Sequence, residues 1–515
     1  MAIRFEMKTS DERVGAAWRG FQRASVFALV WIVSTAAAAQ ENVSLPMAPS
    51  AIVSVLPARQ AQQGLAGISA TGRAVHFAGG VGVEQATAGP LSLSLDEAIN
   101  RGLKLNLQVL LANQSERSVE GEISDVRFAL LPNMRATAYT NTMELNLAAM
   151  GFKASSLAAF GIKPSMFGVI QKVDTTGAEF SAHQVLFDLT DYYLYEAAKS
   201  AGEVVEMNRL NARGGVVDAV GTEYLMALAD EAQITNAEAR VSSDEEVLRQ
   251  ATLARDAGVG VNLDVLRARV RLQVDQQALV QAENSFAEAK IALNRLIGLP
   301  AEQELTLTDT VPYAELAEMP LDQTLALAYR QRKDLLGLTA QLGVAARAQK
   351  AVKYERIPSV TFNGGYGVVG VTEAGYHGIF TAQGSLKIPL FEEGRFRGES
   401  QIAAAQEISL RRQIASLRVT IEAQIRASRM DVETSAELVK VARSSVQLAT
   451  DALADARERF SAGVDDNLPV VQAQAVLAAA KSQLVATEFQ FNQNKLVLAR
   501  NTGVVESQYK QYLGR

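Results

Sequence analysis

Five apolar residues fall seven apart at Val265, Leu272, Leu279, Phe286 and Leu293, and the same five types recur in order at Val470, Leu477, Leu484, Phe491 and Leu498, 205 positions later. An apolar residue at every seventh position marks a helix seam buried against a second helix in a left-handed supercoil. Two such seams in one chain predict a duplicated protein built on long paired helices.

The duplication can be followed along the whole chain. Arg127 to Leu131 leads into Pro132 as Lys353 to Ile357 leads into Pro358, an offset of 226. Ser94-Leu95-Asp96-Glu97 has the form of a capping box, with an N-cap serine and a glutamate at the third position after it. Leu321-Asp322-Gln323 after Pro320 opens the matching segment at the same offset. Further on, Gln184-Val185-Leu186-Phe187-Asp188 answers Ile388-Pro389-Leu390-Phe391-Glu392 at an offset of 204. Gly258-Val259 and Asn262-Leu263 answer Gly463-Val464 and Asn467-Leu468, and Arg295 and Gly298 answer Arg500 and Gly503, all at 205. The fall from 226 to 204 assigns about 22 extra residues to the first half, between Pro132 and Phe187.

After each proline the pattern changes from helical to strand-like. Phe380, Ala382, Gly384, Leu386 and Ile388 alternate with Thr381, Gln383, Ser385 and Lys387, and Ala178, Phe180, Ala182 and Leu186 alternate with Glu179, Ser181 and His183. Period-two alternation predicts strands, here at about 132–142 and 177–187 in the first half and about 358–370 and 377–390 in the second. Their length, about ten residues, suits a tilted strand crossing a bilayer in a barrel. A pair of ordinary soluble hairpins fits the alternation as well. Each hairpin is followed by a proline-free helical stretch, 190–257 and 395–462, and after a turn by a returning helix, 264–297 and 468–502. At about 1.5 Å per residue the longer stretches each reach on the order of 100 Å. Helices of that length pack side by side in a bundle, coiled coil or tube.

Charge and composition narrow the chemistry. With 50 basic and 56 acidic residues, a formal charge of −6 and no basic stripe, the chain offers nucleic acid no footprint. It has no cysteine and only His76, His183 and His377, so thiolate chemistry is excluded and no metal cluster or cofactor site is indicated. Arg13, Arg19 and Arg23 precede an apolar stretch from Val26 to Val33, and Ala37-Ala38-Ala39 offers an A-x-A site with cleavage before Gln40. Residues 1–39 therefore read as a secretory signal peptide, and 40–90, rich in Ala, Gly, Gln, Ser and Val, as a disordered linker. No other stretch approaches the ~20 apolar residues of a membrane helix. An exported chain of this kind is soluble, peripheral or part of a β-barrel. Four strands in a membrane leave two edges unpaired, at several kcal/mol per exposed backbone group, so membrane strands here require several chains to share one barrel.

Signal peptide, duplicated strand-strand-helix-turn-helix halves, L-F-D/E phrases after the second strand and G-V-x-x-N-L turns together resemble the TolC-type outer-membrane efflux proteins over about residues 91–510. The resemblance implies a mainly α chain with membrane β: a first repeat at 91–300, an inter-repeat equatorial segment at 301–320, a second repeat at 321–504 and a tail at 505–515. It implies a homotrimer with a twelve-stranded barrel in outer-membrane lipid, continued by a periplasmic α-barrel. The implied role is a passive, non-enzymatic exit duct of a tripartite efflux or type I secretion system. Its partners would be a periplasmic adaptor (membrane fusion protein) and an inner-membrane pump. The competing reading is an exported coiled-coil structural or adaptor protein without channel activity.

The resemblance also points to residues. Gly258, Val259, Gly463 and Val464 match the family's adaptor-docking turns, although glycine also ends helices for backbone reasons alone. Asp264 matches a family aspartate at the constricted periplasmic tip; its counterpart in the second half is Pro469, and a family arginine that locks the gate is matched by Asp465. With Asp466, three copies would carry up to nine carboxylates (three in each) at one rim. Such a ring favours cations; N-capping or solvation of these turn residues is the alternative. The pairs Asp188/Asp191 and Glu392/Glu393 read as first-turn helix charges rather than catalytic carboxylates. The extra residues of the first hairpin, Met143 to Gln171 with Phe152, Phe160, Met166 and Phe167, are expected to form an extracellular loop.

Overall fold

The computed structural model describes residues 79–80, 89–146, 170–310, 314–316, 319–371, 375–462, 464 and 468–514. The expected signal peptide, nearly all of the expected linker and residues 147–169 lie outside the described residues; of the extracellular loop expected at Met143 to Gln171, both ends, 143–146 and 170–171, belong to strands.

Two helical hairpins dominate. α3 (Leu189–Asp256) and α4 (Asn262–Ile297) form the first, α7 (Glu393–Ser461) and α8 (Leu468–Asn501) the second. α3 has 68 residues and α7 has 69, so each runs about 100 Å. All ten residues of the two heptad seams are buried or half-buried, Val265, Leu293, Val470, Phe491 and Leu498 fully. Beside them runs a second seam of small residues, Ala237, Ala268, Ala442 and Ala449, which lets the helices approach closely. Among the described residues no helix is long and apolar enough to cross a membrane.

Each half begins with a shorter helix pair. α1 (Leu95–Leu105) and α2 (Leu107–Phe128) break at Asn106; α5 (Leu321–Gln331) and α6 (Lys333–Tyr354) break at Arg332, its counterpart in the second half. Ser94 caps α1 through the Glu97 amide at 3.3 Å. Glu97 itself turns to Arg101 at 2.9 Å, so the capping box is half made.

The strands form one antiparallel sheet, ordered β2 (Asn133–Asn146), β3 (Ile170–Phe187), β5 (Ser359–Val371), β6 (Gly375–Lys387). They are 13 to 18 residues long: the first-half strands, at 14 and 18 residues, run past the alternation toward their loop, while the second-half strands, at 13 each, do not exceed it. Toward the loops the sequence turns to threonine, asparagine and glycine on both faces, and periodicity has nothing to report there. The register carries the alternation across all four strands. Ala136, Phe180, Tyr366 and Phe380 stand in one row, and Thr137, Glu179, Gly367 and Ile379 in the next, on the opposite face. One face therefore bears Met134, Phe180, Tyr366, Phe380 and Leu386, all exposed. The other bears Arg135, His183, Asn363, Gln383 and Lys387, with His183 Nδ1 2.7 Å from Asn363 Oδ1.

Two features at the middle of the chain are absent from the sequence reading. β1 (Leu91–Leu93) pairs in parallel with β4 (Leu305–Leu307), tying the start of the first repeat to the segment between the repeats. Beneath this ladder lies the main core of Leu93, Leu95, Val217, Val220, Tyr224, Leu293, Ile297 and Leu496. The Tyr224 hydroxyl bonds the Leu93 carbonyl at 3.0 Å and Asp309 Oδ2 at 2.8 Å, so its burial leaves no polar atom stranded. Gly79 and Gly80, inside the stretch expected to be a disordered linker, are hydrogen-bonded to the helices: Gly80 N–H donates to the Arg295 carbonyl and Gly79 C=O accepts from Leu107. The C-terminal tail adds α9 (Val505–Leu513), anchored by Tyr509 to Asp96 at 2.7 Å.

Candidate functional site

The ends of the hairpins far from the sheet hold the residues singled out by the sequence. α3 ends on Ala257, and Gly258 takes φ +76°, the left-handed conformation that closes a helix. Val259 N–H and Gly260 N–H then both reach the Ala254 carbonyl, at 3.0 and 2.9 Å. Val464 N–H closes on the Arg459 carbonyl at 3.0 Å, the equivalent bond in the second repeat. With their backbones folded inward, Val259 is 85% and Val464 66% exposed. Each half thus holds an apolar side chain out at its turn, where the single chain does not bury it. Gly463 lies outside the described residues.

Asp264 sits in the first turn of α4, where a carboxylate complements the helix dipole. Its Oδ1 lies 3.5 Å from Arg267, and its side chain is mostly covered. Its charge is thus partly compensated within one chain. Asp465 and Asp466 lie outside the described residues, so the structure does not bring them together with Asp264. Pro469 is the second residue of α8, where a missing amide hydrogen costs nothing.

The charged site that the sequence reading missed lies three turns above the tip. Asp244 on α3 and Asp275 on α4 face each other across the first hairpin, both almost fully buried. Arg271 lies 3.0 Å from Asp275 and 3.6 Å from Asp244, and Arg240 lies 3.4 Å from Asp275. Burial first, and then the hydrogen bond and negative charge of Asp275, push the Asp244 carboxyl up to about 7. At the offset of 205 the second hairpin has Ala449 and Ala480 in these places, and Ser445 and Val476 for the two arginines. A charged residue at a seam position in one copy and alanine in the other was the available signal. A cleft of about 870 Å³ opens beside this cluster, between the two hairpins, lined also by Arg457, Phe460, Gln474 and Leu477.

At the other end, where strands meet helices, the paired carboxylates act as helix-start groups. Asp188 Oδ1 accepts from the Thr190 and Asp191 amides at 2.8 and 3.2 Å. Burial and then the Asp188 charge raise Asp191 to about 6. Glu392 and Glu393 are engaged by Arg395 at 2.7 Å and by Arg397 and Arg356 at 3.0 and 3.1 Å. Arg395 also bridges Glu355 and Glu399; burial and the Glu399 carboxylate raise Glu355 to about 7. These are ion-paired junction residues, each explained by the helix it starts or ends. Among the described residues no group of side chains could hold a metal ion.

Comparison with known proteins agrees with this arrangement. A model of the outer membrane efflux protein family matches residues 98–299 and 324–504, one stretch in each half. The chain is 22% identical over 322 residues to a pyoverdine export outer membrane protein of Pseudomonas putida KT2440, covering 60% of this chain and 66% of that one. It is 26% identical over 289 residues to a probable efflux pump outer membrane protein of Pseudomonas putida F1, covering 52% and 56% respectively. The matched stretches thus span less than two thirds of these relatives. The fold superposes on the transmembrane channel CusC with a TM-score of 0.67 at 16% identity, covering 85% of this chain and 99% of that one. The chain belongs to the outer membrane efflux protein family, and its place is the outer membrane.

Proposed function

We propose that this protein is the exit duct of a tripartite efflux or type I secretion system, carrying substrates passively from periplasm to exterior. The observation that supports it is the sheet: four strands, apolar on one face and polar on the other, with β2 and β6 as open edges, mounted on hairpins about 100 Å long. A sheet solvated on both faces has no reason to be half apolar. Lipid against one face and a water-filled lumen behind the other supply the reason. Open edges cannot persist in lipid, so β6 of one copy pairs with β2 of the next, and three copies close a twelve-stranded barrel continued by a helical tube. The two repeats, 91–300 and 321–504, each give one strand hairpin and one helical hairpin to that tube. The energy comes from an inner-membrane pump, reached through a periplasmic adaptor that contacts the turns at Gly258-Val259 and Gly463-Val464.

The native chain has no cysteine, which makes the edge pairing directly testable. Single cysteines placed in pairs along Asn133–Asn146 and Gly375–Lys387 should give disulfide-linked dimers and trimers in outer-membrane extracts, in one register only. A soluble periplasmic monomer, or no cross-link at any register, would defeat the duct and favour an exported coiled-coil spacer.

A further inference from the structure

The peptide ahead of α1 is fastened onto the long helices of the first half. Leu93 and Leu305 of the β1–β4 ladder seat in the core beside Tyr224, Phe286 and Leu293. The Gln303 side chain donates to the Gly89 carbonyl at 3.1 Å, so a glutamine amide holds the backbone just before β1.

At the offsets of 226 and 205, the counterparts of Leu93, Tyr224, Phe286, Leu293 and Gln303 are Met319, Arg429, Phe491, Leu498 and Gln508. All five line one open groove of about 700 Å³. Where the first half has a covered core, the second has a trough. The residues give the reason. Leu305 and Leu307 become Lys510 and Tyr512, and that stretch is the helix α9, so the ladder partner is gone. Lys495 Nζ donates to the Ala314 carbonyl at 3.1 Å and fixes the inter-repeat segment at the side of the groove. Met319 is left 41% exposed, whereas Leu93 is fully buried. Among the described residues the side chains of Gln508 and Gln511, both on the groove, make no hydrogen bond.

The lining determines what fits. Val432, Ala436, Phe491 and Leu498 make an apolar floor. The charges of the α7 wall are paired among themselves, Arg429 with Glu433 at 3.5 Å and Lys440 with Glu437 at 2.8 Å. Glutamine amides both donate and accept. Such a groove takes an uncharged, extended peptide, whose backbone meets the amides while alternate side chains reach the floor. This chain supplies one at Ile52-Val53-Ser54-Val55-Leu56, where Val53-Ser54-Val55 has the pattern of Leu91-Ser92-Leu93 in β1. The segment precedes Gly79 and Gly80, which are held by Leu107 and the Arg295 carbonyl. Ile297, two residues beyond Arg295, belongs to the same core cluster as Phe491 and Leu498 on the groove floor. Residues 57–78, extended at about 3.3 Å each, reach on the order of 70 Å, several times the 8–10 Å between packed helices.

We propose that Ile52–Leu56 docks as an extended strand in the second-half groove of its own chain, with Gln508 holding its backbone as Gln303 holds Gly89. The first half is closed by the peptide that leads into it, and the second by a peptide from far upstream. The strap thereby ties the two repeats together outside their helical contacts. The inference stands apart from the duct reading, because it concerns a single chain.

The absence of native cysteine allows the docking to be trapped in the detergent-solubilised full chain. Single cysteines at each position from 52 to 56 are combined with Gln511→Cys on the groove wall and oxidised. Trypsin cuts after Arg59 and Lys510, so the linked peptides are identified by mass. Linkage within one chain should be strong at alternate positions and weak between them, the period of a strand. Adding Gln508→Ala should lower the yield about fivefold through the lost hydrogen bond, and Ala436→Phe, which fills the floor, should abolish it. Disulfides between copies would give the groove to a neighbouring chain, and equal linkage at all five positions would mean random collision. Either result, no linkage at any position, or a yield unchanged in both groove variants would overturn the proposal.

Discussion

At the scale of single residues, the Asp244–Asp275 contact is the feature with the clearest measurable consequence. A carboxyl whose folded value is about 7, against an ordinary value of 3.8, binds a proton more tightly in the folded chain than in the unfolded one. Its contribution therefore favours the folded state at low pH and is lost as pH rises from about 4 through about 7. Two carboxylates and two arginines at a helix seam also cost desolvation that the second hairpin avoids with Ala449 and Ala480. Asp244→Asn keeps the shape and the bond to Asp275 without the second charge. The variant should melt about 2–4 °C above the native protein at pH 8, with the gap closing at pH 5, followed by circular dichroism across that range. Comparing the two proteins cancels Asp191 and Glu355, which also titrate near neutrality. Parallel pH profiles would show that the pair does not couple to folding.

At the scale of elements, the two kinds of glycine cap make unequal demands. Gly258 and Gly503 both have positive φ, +76° and +79°. A Cβ on Gly258 would meet nothing within 4 Å, whereas one on Gly503 would strike Arg332 N and Gln331 C, both at 2.7 Å. Gly258→Ala should cost about 1–2 kcal/mol, the backbone penalty alone. Gly503→Ala should cost clearly more, since two backbones must separate; denaturant unfolding measures both, and equal losses would refute the distinction. Repeat matching and chain punctuation made both glycines legible as helix ends. The seams were legible because burial at every seventh residue leaves a mark in each copy. The parallel β1–β4 ladder was not, because three-residue strands have no period to detect. The partner of Asp264, Arg267, stands one helical turn on, the spacing that pairs side chains along a helix, so this pair is legible in the sequence. Asp244 and Asp275 stand on different helices, well separated in sequence, so only the fold brings them together.

At the scale of the assembled molecule, charge at the tip becomes a matter of symmetry. One Asp264 beside Arg267 is a modest local field. In the proposed trimeric duct, three copies each of Asp264, Asp465 and Asp466 would concentrate that sign at one rim and favour cations there. Because Arg267 offsets Asp264 within one chain, Asp264 alone is expected to carry the smallest share of the effect. Channels reconstituted in planar bilayers under a potassium chloride gradient report this as a reversal potential. The triple change of Asp264, Asp465 and Asp466 to asparagine should move that potential toward the unselective value, and Asp264→Asn alone should move it least. Screening supplies an internal control. The Debye length falls from about 10 Å at 0.1 M to about 3 Å at 1 M salt, so the difference between native and triple-variant channels should shrink as salt rises. A difference that survives at 1 M would place the selecting charges within direct contact of the ion. A reversal potential unchanged by the triple substitution at low salt would remove the ring from the mechanism and leave the three aspartates as helix caps and turn residues.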